Sequence, residues 1–370
     1  MRLIRDWFQR HFADPQVAGL AILLAAGFVT VVLMGRMLAP VLASLVIAYL
    51  LEGIVGYMER WHCPRWLAVT LVFVTFMAAL FSVIFGLLPL LSQQLTQFFQ
   101  QLPTMIARGQ ELLLSLPEHY PNLFSEEQVY DLMSAIRSEL AQLGQKVLSL
   151  SLASVMSLIT LGVYLVIMPL LVFFFLKDKV RLIGWFKQYL PRERKLAAQV
   201  WHEVDFQIGN YVRGKFLEIL IVWMVSFITF SLMGLQFSML LSVLVGLSVI
   251  IPYIGAVTAA LPIAFVAYFQ WGFNAEFAYL LGAYGIIQAL DGNVLVPLLF
   301  AEVVDLHPVA IIVAILVFGG FWGFWGIFFA IPLATLVQAV LKAWPDLPPS
   351  EASATLAVDC PGGSSSEKMI

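Results

Sequence analysis

Three polar side chains stand in a stretch otherwise fit for lipid: Gln288, Asp291 and Asn293 within "IIQALDGNVLVPLLF", residues 286–300. An ionised acid at membrane depth costs on the order of 3 kcal/mol or more. Such residues therefore face a bundle interior or a water path, and are functional by default. Gln288 and Asp291 are three positions apart and share one face of a helix. A carboxylate flanked by two amides could bind a proton, a cation or a polar group of a solute. The competing role for Asp291 is to cap bare amides of a broken helix, and the residue types alone leave both open.

The elements around Asp291 are unusual for a membrane chain. The apolar run from Met239 to Gln270 would be about 48 Å long as one helix, against a hydrocarbon core of about 30 Å. Its middle reads "IIPYIGA" (250–256), where Pro252 removes a backbone donor and Gly255 frees the turn beside Tyr253. A second run, Pro308 to Lys342, is interrupted by "FGGFWGFWG" (318–326), with Gly319, Gly320 and Gly323 among aromatics. Similar phrases follow the breaks, "GAVTAALP" and "GIFFAIP". Interrupted segments in matching positions point to a transporter's binding site. Their freed peptide groups are tolerated at depth only where protein or a wet cavity receives them. The pattern predicts two re-entrant hairpins, inverted relative to each other, one entered from each side; long kinked spanning helices are the alternative. The candidate binding residues are Asp291, Gln288, Asn293, Pro252, Tyr253, Gly255 and Asn210. His307, Gly319, Gly320 and Gly323 are candidate gate residues. His307 precedes a proline at a helix start, so it reads either as a pH-responsive gate or as a loop residue bonding nearby backbone.

Composition sets the frame. The 370 residues are 61% hydrophobic and 12% charged, whereas a soluble domain is about half apolar and a quarter charged. The fold class expected is an all-α, polytopic integral membrane protein with about eight hydrophobic segments. The net charge of −3 argues against nucleic acid as a partner. Cys63 and Cys360 lack motif spacing, so no metal site, disulfide framework or cofactor is expected. Residues 1–15 carry Arg2, Arg5 and Arg10 among aromatics and read as an interfacial helix, followed by a retained span rather than a cleaved signal.

Spans are expected at 17–34, 37–58 and 66–91 (three segments within 16–91), at 152–176, and at 216–234. The basic segment 177–215 marks the cytoplasmic side, which places both termini and the disordered tail 344–370 there. The insert 92–151 is then external. It carries two apolar seams, one from Leu91 through Phe98 and Met105 to Leu116, the other from Val129 to Leu150, the latter opened by the capping box "SEEQ". These predict either helix packing within one subunit or a homo-oligomer contact. Arg213 and Lys215 are expected to anchor lipid headgroups, with Glu218 pairing to one of them. Phe321, Trp322, Phe324 and Trp325 read as packing around glycines, with a substrate cage as the alternative.

The phrases "IGNYVRGK" (208–215), "IIPYIGA", "QALDGNVLVP" (288–297), "DLHPVAI" (305–311) and "AIPLATL" (330–336) together resemble the autoinducer-2 exporter family of bacterial permeases, most of all its PerM-type members. The resemblance covers nearly the whole chain and is densest in 205–343. It implies a multi-pass protein of the bacterial inner membrane that exports an autoinducer-2-like small polar solute or exchanges cations, sodium against protons among them. Many members carry Glu where this chain has Asp291. The function expected is secondary transport by movement of a C-terminal unit, residues 205–343. A non-transporting scaffold for envelope proteins is the other class. No Walker A pattern is present, "HEVDF" lacks the second His of a zinc hydrolase, and only one deep carboxylate is found, so no enzyme is expected.

Overall fold

The computed structural model describes residues 15–119, 134, 154–189, 195–252, 254–300 and 306–343. Every element among the described residues is a helix, as lipid requires of a spanning chain that is not a barrel. Among the described residues, five helical stretches are long and apolar enough to cross a membrane: Met37–Arg60, Arg65–Gly109, Asp205–Leu232, Ile254–Trp271 and Ala275–Phe300. Their outward faces carry large apolar side chains such as Leu71, Phe85, Ile286 and Leu298, which is the surface a lipid solvent selects.

Helix α1 runs unbroken from Pro15 to Arg60, 46 residues or about 69 Å. The sequence suggested two spans within this stretch, but no turn separates them. Gly35 at the expected junction weakens a helix by only about 1 kcal/mol, and Pro40, five positions on, sits inside the helix without ending it. An N-terminus on the same side as Arg60 needs such a reversal. Helix α2 (Arg65–Ser82) continues through a π-helical turn, Val83–Leu87, into α3 (Leu88–His119). Helix α4 (Ser154–Lys177) lies where the fourth span is expected, its apolar part Gly162–Lys177 being shorter than the five stretches above, and α5 (Lys179–Tyr189) follows.

α1, α2 and α4 pack around Ala48, Val55, Ala68, Val69, Val72, Val172 and Leu176. The small residues let the backbones approach closely, as membrane packing demands. Their basic end is tied by ion pairs. Arg65 bonds Glu52 at 3.2 Å and Glu59 at 3.1 Å, and donates to the Leu176 carbonyl at the end of α4 at 3.0 Å. Lys179 reaches Glu52 at 3.0 Å.

The C-terminal half is built on α6 (Lys195–Leu232, 38 residues). α7 (Ser238–Ser248) and α8 (Ile254–Trp271) fold back on each other. The proof is at their open end: the Gln270 amide accepts from the Gln236 backbone at 2.8 Å and donates to the Gly234 carbonyl at 2.8 Å. Leu241, Val245 and Val249 of one arm bury against Ala259, Ile263 and Val266 of the other. This first hairpin therefore begins and ends on one side, beside the Leu232 end of α6. α7 has 11 residues, about 17 Å, and cannot cross a bilayer.

Helix α9 (Ala275–Leu290), a π-helical turn (Asp291–Leu295) and α10 (Val296–Phe300) form one rod. A second hairpin follows: α11 (Pro308–Trp322), α12 (Phe324–Phe328) and α13 (Ala330–Ala343). Its arms meet through Ile311, Ala314, Ile315 and Phe318 against Ile327, Ala330 and Ala334. Both broken segments are thus folded hairpins rather than kinked rods. The same device closes each. A Cβ on Gly255 would lie 1.7 Å from the Ser248 carbonyl oxygen, and one on Gly326 would lie 1.8 Å from that of Phe318. Only a residue without Cβ lets the returning arm sit so close. Gly323 turns the second hairpin with φ 58° and ψ −131°, a conformation reserved to glycine.

The first seam of the insert packs within the subunit, and its partner is the first hairpin. On α3, Phe98 stands edge-on to Phe237 at 5.6 Å, Met105 is buried in the hairpin core, and Gly109 faces Phe269. Gln94 accepts from the Leu240 amide at 2.9 Å, in the first turn of α7. The second seam, residues 129–150, lies outside the described residues apart from Ser134, as do the N-terminal segment 1–14 and the tail.

Candidate functional site

A helix that stops at membrane depth leaves carbonyls without partners. α7 ends at Ser248, and the next carbonyl, Val249, receives Lys215 Nζ at 2.8 Å. α12 ends at Phe328, whose carbonyl receives the Tyr211 hydroxyl at 3.2 Å. Tyr211 and Lys215 are four residues apart on α6, so they share a face one turn apart. The tips of both hairpins therefore meet the same turn of α6. Glycines seat the neighbours there. Gly214 has Phe300 against it, Gly209 has Tyr49, and Gly246 brings α7 onto Trp223. The Phe300 ring lies 5.6 Å from Tyr211 and 5.5 Å from Lys215 Nζ, a cation–π distance.

Lys215 and Glu218 are 3% and 2% exposed. They form an ion pair of 2.7 Å between neighbouring turns of α6. A lone charge here would be prohibitive, and the pair satisfies each member. Asp291 stands in the π turn that packs against α6. Its Oδ1 is buried and accepts no hydrogen bond. When all three groups are ionised, two carboxylates face one ammonium and one negative charge stays uncompensated. Asp291 opens the π-helical turn of the rod, and π turns recur at functional sites because they aim a side chain off the regular face.

The rod supplies a second brace. The Tyr284 hydroxyl donates to the Ala256 carbonyl at 2.6 Å, so the first tip is held on both sides of its break, at Val249 and at Ala256. Tyr284, Gln288 and Asp291 follow at steps of four and three, one polar stripe on α9. The Gln288 amide nitrogen is buried beside Tyr284 and makes no hydrogen bond of good geometry.

Of the residues expected from sequence, Asp291, Gln288, Pro252 and Gly255 converge on the first tip and α6. Tyr253 lies outside the described residues. Asn293 is exposed and donates to the Ala289 carbonyl of its own helix at 2.8 Å; two positions from Asp291, it points elsewhere. Asn210 is half-buried on α6, next to Tyr211. His307 is exposed and accepts from the Val309 amide at 3.2 Å, capping α11, which is the backbone-bonding role. Gly319 faces Ile327, Gly320 faces open space and Gly323 makes the turn. The aromatics pack on one another, with Phe318 stacked on Trp322 and Trp325 on Phe329. Among the described residues no group of His, Cys, Asp or Glu could hold a metal ion.

The expectation for Lys215 was wrong. It anchors no headgroup but is buried on Glu218 and Val249. A lysine just before an apolar run reads as an interface residue. Here α6 begins at Lys195, and its membrane-length stretch starts at Asp205 rather than at 216. The missed signal was the spacing of Tyr211, Lys215 and Glu218, which puts all three on one face. Arg213, two positions away, is exposed and lies over the Tyr49 ring at 5.8 Å.

Comparison with known proteins settles the family. The model described as "AI-2E family transporter" matches residues 20–346. The chain belongs to the AI-2E transporter family. The relatives of this family agree along nearly their whole length. The chain is 44% identical over 346 residues to PerM of Escherichia coli (strain K12), named as a permease, covering 94% of this chain and 98% of that one. It is 26% identical over 314 residues to YueF of Bacillus subtilis (strain 168), named as a transport protein, covering 84% of each. It is 26% identical over 335 residues to TqsA of Escherichia coli (strain K12), named as an AI-2 transport protein, covering 88% of this chain and 92% of that one. An AI-2E family chain with several apolar helices is a multi-pass bacterial membrane protein of a transporter family.

Proposed function

We propose that this chain is a secondary transporter of the bacterial inner membrane that exports a small polar solute through the junction of its two hairpins. The observation that carries the reading is the meeting of both tips on one turn of α6, beside Lys215, Glu218 and Asp291. A protein that only spans or anchors has no need of two helix ends and three charges at one depth. The solute lies against Asp291 and Gln288, whose buried polar atoms lack hydrogen bonds. The hairpins act as gates, and the unit 205–343 moves against the α1–α2–α4 body. The name of TqsA makes AI-2 the first solute to test. Cation exchange is the second reading, favoured by the uncompensated charge of the three-residue cluster. No catalytic role is assigned to any residue. The basic end of the α1–α2–α4 body and the C-terminus face the cytoplasm. A homo-oligomer is proposed through the second external seam.

The rod Ala275–Phe300 separates the hairpins. One crossing there inverts the second relative to the first, so their mouths open on opposite sides. Cysteines at Phe273 and His307, both exposed, test this in intact cells with an impermeant maleimide. Labelling of the first alone supports the inverted pair; labelling of both or of the second alone removes it. Proteoliposomes then test transport itself. Flux of AI-2, sodium or protons that Asp291→Asn abolishes in well-folded protein supports the site. Background flux for every solute removes it.

A further inference from the structure

We infer that Lys215 is the latch of the first hairpin, and that it works by exchanging the Val249 carbonyl for the Asp291 carboxylate. The inference rests on the proposal that this hairpin is a gate. In the described arrangement Lys215 Nζ makes two bonds, to Glu218 at 2.7 Å and to Val249 at 2.8 Å. Glu218 is on the same helix and moves with Lys215. Val249 is on the hairpin and does not. The bond to Val249 is therefore the one that ties tip to hub. A charged donor on the last carbonyl of a helix is also favoured by the helix dipole.

A latch needs somewhere to go. Asp291 belongs to a different element, the π turn that packs against α6, and presents a buried oxygen with no donor. It is a second station already in place. With Lys215 on Asp291, the Val249 carbonyl is bare and must find water. That happens only if the tip moves into a wet path. Glu218 accompanies the ammonium in both positions, so no charge is stranded. The second tip is held differently, by the neutral hydroxyl of Tyr211. Exchange at Lys215 therefore unties the first tip from α6, with Tyr284 still bracing it on the rod, and leaves the second hairpin seated on Tyr211.

Substituted-cysteine labelling reads this without any transported solute, in purified protein reconstituted in vesicles and with Cys63 and Cys360 replaced by serine. The reporter is Ile251→Cys, at the first tip, and the control is Gly320→Cys, where the second hairpin has open space. Lys215→Met raises the reporter's maleimide rate at least about tenfold, the factor of one lost charged hydrogen bond, and leaves the control unchanged. Because Lys215→Met leaves Glu218 unpaired, Lys215→Met with Glu218→Leu is measured beside it and gives the same rise. Asp291→Asn moves the reporter the other way, lowering its rate, because the second station is gone. A purely structural Lys215 does not give opposite effects at these two positions. Equal rises at both hairpins, no rise in either Lys215 variant, or a rise with Asp291→Asn overturns the latch. Failure here with flux intact leaves the transporter proposal standing. Loss of flux for every solute with these shifts present removes the proposal and keeps the latch.

Discussion

Gly255→Ala isolates the close packing on which the first hairpin depends. The added Cβ would stand 1.7 Å from the Ser248 carbonyl oxygen, with the Ser248 carbonyl carbon at 2.5 Å. Both are backbone, so no side chain can swing aside. Ordinary contact begins near 3.4 Å, and 3.4 Å less the 1.7 Å available leaves the arms about 1.7 Å too close. Pushing them apart by that much loosens Leu241, Val245 and Val249 from Ala259, Ile263 and Val266. It also draws Val249 away from Lys215. Overpacking of a tight core costs about 1–3 kcal/mol and more where backbone must move; the upper end, about 3 kcal/mol, applies here. Gly320→Ala is the matched control, because nothing lies within 4 Å of its Cβ. In a helix that change stabilises by up to about 1 kcal/mol. The assay is the apparent melting temperature in detergent at one fixed scan rate, since membrane proteins unfold irreversibly. At roughly 1–2 °C per kcal/mol, from about 2 cal/mol/K of unfolding entropy per residue over 370 residues, Gly255→Ala falls by about 4 °C while Gly320→Ala holds or rises. Equal melting temperatures for the two variants would refute the hairpin contact.

Other changes probe separate parts. Gly323→Ala forces a Cβ into φ 58°, ψ −131° and costs on the order of 1–3 kcal/mol, again read as a fall in melting temperature. Gln270→Leu removes both bonds that close the mouth of the first hairpin, and proteolysis in the 234–236 or 271–274 loops quickens several-fold. Glu52→Gln takes the shared partner from Arg65 and Lys179. Arg65 keeps Glu59 and the Leu176 carbonyl, so the loss stays near 1 kcal/mol and shrinks as salt is added. Tyr211→Phe deletes the hydroxyl bond to Phe328 while keeping the ring on Phe300. It costs about 1 kcal/mol and raises labelling at the second tip rather than the first.

The breaks were legible because proline and glycine at the middle of an overlong apolar run have few other meanings. "IIPYIGA" and "FGGFWGFWG" mark the turns of the two hairpins. Asp291 was legible because a carboxylate is rare in such company. The hub was not. Lys215 and Glu218 flank the point where apolar residues become continuous, and hydropathy reads such a flank as a membrane surface. Only the buried ion pair shows that α6 carries charge inward. The seam of α3 announced an apolar face without naming its partner, since heptad spacing says that a face is covered, not by what. The π turns at 83–87 and 291–295 have no compositional signature. The unbroken helix through Gly35 shows the converse: a lone glycine does not end a helix that has no reason to reverse.

The rod from Arg65 to Met105 joins two distant places. One end is pinned among Glu52, Glu59 and Leu176; the other lies on Phe237 and Leu240 at the mouth of the first hairpin. At 1.5 Å per residue Arg65 and Phe98 are about 50 Å apart, and a helix resists both stretching and torsion. Inserting one residue before Gln94 would swing the far end by about 100° and turn Gln94 and Phe98 off their seats. The spacing between the ion pairs and the mouth is thus counted in whole residues, like the teeth of a key cut to one lock.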